Sequence, residues 1–117
     1  MNSRTERFKD IIPSIDNFHF HILGCGAIGS SAAIQLARTG AERFSLYDPD
    51  DVGIENVGVS QYDLSHIGML KVDALERILT NICDDVGVFK YPKLFEVYDP
   101  YRNDIVILGF DNMKARM

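Results

Sequence analysis

The chain has 117 residues, 46% hydrophobic and 25% charged, and its 12 Lys+Arg against 17 Asp+Glu leave a net charge of −5. That length suits one domain with one core, and the near-average composition excludes a disordered chain, a collagen-like repeat and a disulfide-dense miniprotein. The acidic balance argues against a nucleic-acid surface, which draws its affinity from basic patches.

The first dozen residues predict a short amphipathic helix with Phe8, Ile11 and Ile12 on one side. Pro13 ends it, because proline lacks an amide hydrogen and disfavours helix in the residue before it. The start MNSRTERFKD is polar, unlike a signal segment, and no apolar run approaches the roughly 18 residues a membrane helix needs. No membrane association is expected. Phe18–Leu23, bulky residues before a glycine cluster, predicts a buried strand. Ala27–Thr39 predicts a helix, with Gly40 placed for the left-handed residue that follows a helix end. Arg43–Tyr47 predicts the second strand, ending at Asp48.

Residues 49–68 are acidic, rich in glycine and without a sustained period; a loop this long in a compact domain is usually functional. Met69–Cys83 predicts a second helix, with Val72, Leu75, Leu79 and Ile82 at helical spacing. Val86–Tyr91 and Ile105–Phe110 predict two further strands, and the residues from Asp111 onward enter a helix. Alternation of strand and helix with nearly uninterrupted apolar strands predicts an α/β class: a Rossmann-like, mostly parallel sheet with helices on both faces. Its crossovers should be right-handed, and its ligands should bind at the carboxyl ends of the strands.

After the first strand stands Gly24-Cys25-Gly26-Ala27-Ile28-Gly29, a G-x-G-x-x-G. Gly24 permits the tight turn, Gly26 lets a phosphate approach the backbone, and Gly29 lets the helix pack close to the strand. The helix N-terminus offers amide hydrogens and a partial positive charge to an anion. Asp48 lies 19 residues after Gly29, at the end of the second strand, where a carboxylate can accept both ribose hydroxyls. Together these predict an adenosine-containing ligand, in competition with a glycine turn required by packing alone.

Beyond Asp48 the sequence carries Asp50, Val52 and Asn56 in the pattern D-x-D-x-V-x-x-x-N, then Gln61, then Gly68-Met69-Leu70-Lys71 as G-x-x-K opening the next helix. Asp111, Asn112 and Arg116 follow the last strand as D-N-x-x-x-R. In these four motifs and their order the chain resembles the ThiF/MoeB-type adenylyltransferase family, which includes the ubiquitin-activating enzymes. The resemblance runs from about Phe18 to the last residue. It implies residues 1–17 as an N-terminal helix and linker, and residues 18–117 as the N-terminal portion of a Rossmann-like ATP-binding domain. The family's catalytic unit is roughly twice as long, so the chain is expected to be truncated after the fourth strand.

The family uses MgATP to adenylate the C-terminal carboxylate of a ubiquitin-like or sulfur-carrier protein, and the resemblance carries its cofactors, ATP and Mg²⁺, with it. Gly24, Gly26, Ala27 and Gly29 would line the phosphates, Asp48 would hold the ribose, Asn56 and Lys71 would contact the triphosphate, and Asp50 and Asn112 would belong to the same nucleotide site. Asp111 would bind magnesium, as a hard cation prefers carboxylate oxygen. Lys71 would neutralise the charge that develops when a carboxylate approaches a phosphate. Many members carry an Arg where this chain has Val59; Arg7, in an R-x-x-R pattern with Arg4, resembles the family's N-terminal helix that reaches into a partner subunit's site. A homodimer in the cytoplasm is implied.

Two alternatives stay open: an NAD-dependent Rossmann oxidoreductase, favoured by the glycine loop and Asp48 alone, and a non-catalytic nucleotide-binding or dimerisation module. Several side chains also have a purely structural reading. Cys25 fills space in the phosphate loop and Cys83 belongs to the core. The two cysteines suit a reducing compartment and cannot make a four-ligand zinc site. His19 and His21 share one strand face, but without a third ligand nearby they are expected to be hydrogen-bonded histidines under a helix. His66 is expected to be exposed. Asp50 and Asp51 can be a solvated pair, Asn56 a turn former, Lys71 a solvated helix residue and Asp111 a helix cap.

Overall fold

In the computed structural model of the chain, residues 15–94 and 104–109 are described. The elements are β1 (His19–Leu23), α1 (Ala27–Arg38), β2 (Arg43–Tyr47), α2 (Lys71–Ile82), β3 (Gly87–Tyr91) and β4 (Asp104–Leu108), with short 3₁₀ turns at Ile15–Asn17, Ile54–Asn56 and Leu64–His66. The N-terminal helix with Arg4 and Arg7, and the Asp111, Asn112 and Arg116 motif, lie outside the described residues. No described helix is long and apolar enough to cross a membrane.

The strands form one sheet in the order β3-β2-β1-β4, every pair parallel. The parallel Rossmann-like α/β fold expected from the alternation is therefore present. Side chains alternate across each strand. Phe20, Ile22, Phe44 and Leu46 point to one side and form the buried core with Ala33, Ile34 and Ala37 of α1 and Val72, Leu75 and Leu79 of α2. Both described helices thus cover the same face. The physical reason is direction: β1→α1→β2 and β2→α2→β3 step the same way across the sheet, and right-handed crossovers then put both helices on one side. Covering the other face requires crossovers that step the opposite way from β1.

Helix α1 ends as its sequence requires. Gly40 takes φ 118°, and Gly40 N–H donates to the Ala37 carbonyl while Ala41 N–H donates to that of Leu36. This pair of bonds is a Schellman motif, which satisfies carbonyls that would otherwise end the helix unpaired. Helix α2 is held to β3 by Lys90, whose Nζ lies 3.0 Å from Asp73 and 2.8 Å from Glu76.

Candidate nucleotide site

The carboxyl ends of β1, β2 and β4 converge on the glycine loop. Gly24 has φ 99°, a left-handed conformation that a side chain would strain. Its N–H donates to the Tyr47 carbonyl at 2.8 Å, tying the loop to β2, and Gly109 N–H donates to the Leu23 carbonyl at 2.8 Å, tying it to β4. A Cβ on Gly29 would stand 1.8 Å from the Gly24 carbonyl oxygen, so this glycine sets the distance between α1 and the loop. A Cβ on Gly26 would meet nothing within 4 Å. Gly26 is the N-cap of α1 and offers no side-chain cap, and the first turn holds no acidic residue. The positive end of the helix therefore faces open space across a backbone without a side chain, the arrangement that receives a phosphate.

Asp48 is buried at the end of β2, 6% exposed. Cys25 N–H donates to its Oδ2 and Asp50 N–H to its Oδ1, each at 2.8 Å. A carboxylate has about four acceptor positions, so the two bonds that orient Asp48 leave acceptor capacity for a diol. Asp50 and Asp51 are exposed.

The segment after Asp48 folds back on itself. Asp51 and Leu70 form an antiparallel bridge, with Val52 N–H donating to the Met69 carbonyl at 2.7 Å and Lys71 N–H to the Asp50 carbonyl at 2.9 Å. These bonds place Lys71, the first residue of α2, beside the Asp48–Asp50 turn. Asn56 accepts a hydrogen bond at Oδ1 from Gly53 N–H at 2.8 Å, so it performs the turn-forming role open to it from sequence. Val59 and Gln61 are exposed.

Tyr62 was not singled out by any motif, yet it is the brace of the site. Its hydroxyl donates to the Cys25 carbonyl at 2.5 Å and lies 3.5 Å from that of Lys71, so one buried ring joins the glycine loop to the start of α2. Gly109 was also missed; a Cβ there would lie 2.3 Å from the Gly24 carbonyl oxygen. A glycine after an apolar strand was the available signal. Burial pushes the Cys25 thiol far up, and Asp48 adds to this while Lys71 opposes it. The thiol is a space-filling group, as expected.

Three expectations are corrected. His66 is buried, 6% exposed, and its ring and that of Tyr62 meet edge to face. Its Nδ1 accepts a hydrogen bond from Asp63 N–H at 3.0 Å, which closes the turn at Leu64–His66. His19 and His21 do have a third group beside them, Asp104, delivered by β4, and no described helix covers them. Cys83 is only half-buried, because it follows the last turn of α2 rather than lying within it.

A family model described as ThiF family matches residues 7–117. The chain belongs to the ThiF family. The matched residues include the glycine loop, Asp48 and the returning loop to Lys71. The tRNA threonylcarbamoyladenosine dehydratase of Bacillus subtilis (strain 168) is 33% identical over 111 residues, covering 90% of this chain and 44% of that protein. Ubiquitin-like modifier-activating enzyme 5 of Oryza sativa subsp. japonica is 33% identical over 120 residues, covering 88% of this chain and 28% of that protein. Among solved structures, E. coli tRNA N6-threonylcarbamoyladenosine dehydratase matches with a TM-score of 0.70 and 25% identity, over 78% of this chain and 41% of that one. The chain spans less than half the length of these relatives.

Proposed function

We propose that this chain is the nucleotide-binding part of an ATP-dependent adenylating enzyme that activates the C-terminal carboxylate of a ubiquitin-like or sulfur-carrier protein. The observation that carries the reading is the convergence of three groups: the open backbone at Gly26, the buried carboxylate of Asp48 and the start of α2 at Lys71. Gly24, Gly26, Ala27 and Gly29 present the helix N-terminus to the phosphates. Asp48 accepts from the ribose hydroxyls, with Asp50 beside it. ATP, when bound, supplies an α-phosphorus open to attack by a carboxylate, with pyrophosphate leaving. Lys71 and the amide end of Asn56 balance the negative charge that gathers there, which a low-dielectric site makes worth far more than in water.

Asp111 as the magnesium ligand, Asn112 on the nucleotide, and Arg7 reaching across a homodimer complete the proposal; these residues lie outside the described ones and rest on the motifs that place them. The two free cysteines suit a reducing, cytoplasmic setting. The oxidoreductase alternative gives no role to Lys71 or to the loop that delivers it.

A second reading has support from the Bacillus subtilis relative. A threonylcarbamoyl group carries a threonine carboxylate, and loss of water from it needs the same activation, with a tRNA in place of a protein as the acceptor. The acidic net charge of this chain favours the protein acceptor.

Pyrophosphate exchange into ATP by the full protein with Mg²⁺ tests these readings, using ubiquitin-like proteins, sulfur carriers and modified tRNA in separate arms. Exchange with a protein carrier, reduced about 10²–10³-fold by Lys71→Ala, supports the first reading. Exchange with tRNA alone selects the second. ATP binding without exchange in any arm overturns both in favour of a nucleotide-binding module, and absence of ATP binding removes the nucleotide site itself.

A further inference from the structure

The sheet face opposite the helices carries a cluster that the nucleotide site does not use. On β1, His19 and His21 stand at alternate positions and so share that face, their rings stacked with centroids 4.3 Å apart. β4 pairs with β1 so that Asp104 lies directly beside His19. The Asp104 carboxylate is 3.4 Å from His21 Nε2, and both side chains are more than nine-tenths buried. One ligand atom from each of the three residues falls within 4.8 Å of the other two. They border a groove of about 340 Å³ that also runs past Ser45, Phe89 and Tyr91.

We propose that His19, His21 and Asp104 form a binding site for a divalent transition-metal ion, zinc by the donor set, separate from the nucleotide site. Two imidazole nitrogens and one carboxylate oxygen are a donor set used at zinc sites that keep a position open. Magnesium and calcium call instead for oxygen throughout. With metal–ligand bonds of about 2.0–2.1 Å, neighbouring donors of a tetrahedral ion stand roughly 3.3–3.4 Å apart. The His21–Asp104 pair already has that spacing, and a His19 ring nitrogen lies within 4.8 Å of the donors of both. Ser45 Oγ lies 2.8 Å from His19 Nε2, the kind of hydroxyl contact that orients a ligating ring.

Burial lowers the pKa of both imidazoles, His19 further adding to the effect at His21, while Asp104 opposes it. The groove gives water or a small ligand access to the fourth position. His19 lies at the amino end of β1, roughly 13 Å of strand from Leu23 at about 3.3 Å per residue, and none of the three ligands belongs to the nucleotide site.

The experiment is calorimetric titration of the full chain, stripped with chelator, with Zn²⁺ alone, followed by Co²⁺ substitution and X-ray absorption at the zinc edge. One equivalent of Zn²⁺ bound at micromolar or tighter affinity is expected, weakened at least about tenfold in each of His21→Gln and Asp104→Asn. The Co²⁺ form should show visible ligand-field bands, and the zinc-edge spectrum a shell of nitrogen and oxygen that includes two imidazoles. Should a variant fail to fold, as circular dichroism would show, the wild-type spectra decide. Millimolar-only binding, a shell containing sulfur, or unchanged affinity in both folded variants overturns the proposal.

Discussion

Gly26 and Gly29 sit three residues apart in one motif and do different physical work. At Gly26 a methyl group meets nothing, so Gly26→Ala should cost only the poorer helix cap, less than the overpacking at Gly29. It should instead weaken ATP binding, because the methyl occupies the space where a phosphate approaches the backbone. At Gly29 the same methyl overlaps the Gly24 carbonyl, so Gly29→Ala should cost about 1–3 kcal/mol of stability, the usual range for overpacking. Urea denaturation and fluorescence titration with an ATP analogue separate the two effects; equal losses of stability would contradict this division. Cys25 yields a second prediction at the same scale. Its thiol is raised by burial first and by Asp48 second, so the neutral thiol is favoured over the thiolate at neutral pH and still at pH 9. Alkylation of the native protein followed by mass mapping should modify half-buried Cys83 and spare Cys25 at both values. Rapid native-state labelling of Cys25 would show that its burial is breached.

The helices show how far local sequence carries. The expected span of α1 differs from the observed one only at Thr39, since Gly40 fixes where the chain must turn. Gly40→Ala should destabilise by about 1–2 kcal/mol, the cost of holding a side chain in the left-handed region, as read by thermal melts; Thr39→Ala should cost less, because its hydroxyl only bonds back to the Leu36 carbonyl. The long loop is where local pattern gives least. Its stretch from Pro49 to Gly68 has no period because it is ordered by two 3₁₀ turns and by backbone bonds between Asp50–Val52 and Gly68–Lys71. Such bonds are nearly independent of side-chain identity, so no hydrophobic pattern announces them.

For the molecule as a whole, Asp48 is the joint. Its two oxygens hold the backbone of the glycine loop and of the returning loop, and Tyr62 links the same loop to α2 from the other side. Asp48→Asn replaces one acceptor oxygen with a donor facing a backbone N–H. It should therefore lower stability by about 1–3 kcal/mol, the cost of a buried group left unmatched, and also weaken nucleotide binding. Calorimetric unfolding with and without ATP measures both. A variant that lost affinity without losing stability would show that Asp48 meets the ligand but does not join the loops.

Legibility from sequence followed the range of the interaction. The strand–glycine–helix unit and the two apolar helix stripes were readable because each is fixed by residues within one or two turns of chain. Gly24, Gly26, Gly29 and Asp48 were readable for the same reason: a tight turn, a close approach and a strand end each demand a residue type locally. What the sequence left undecided was every meeting of distant segments. The burial of His66 against Tyr62, the brace from Tyr62 to Cys25, and Asp104 beside His19 and His21 depend on strand order and register. The sequence by itself determined the parallel α/β sheet and the glycine turn that follows its first strand. Only the tertiary structure decided which faces and loops came together there, because a partner 83 positions from His21 leaves no periodic trace in the residues around it.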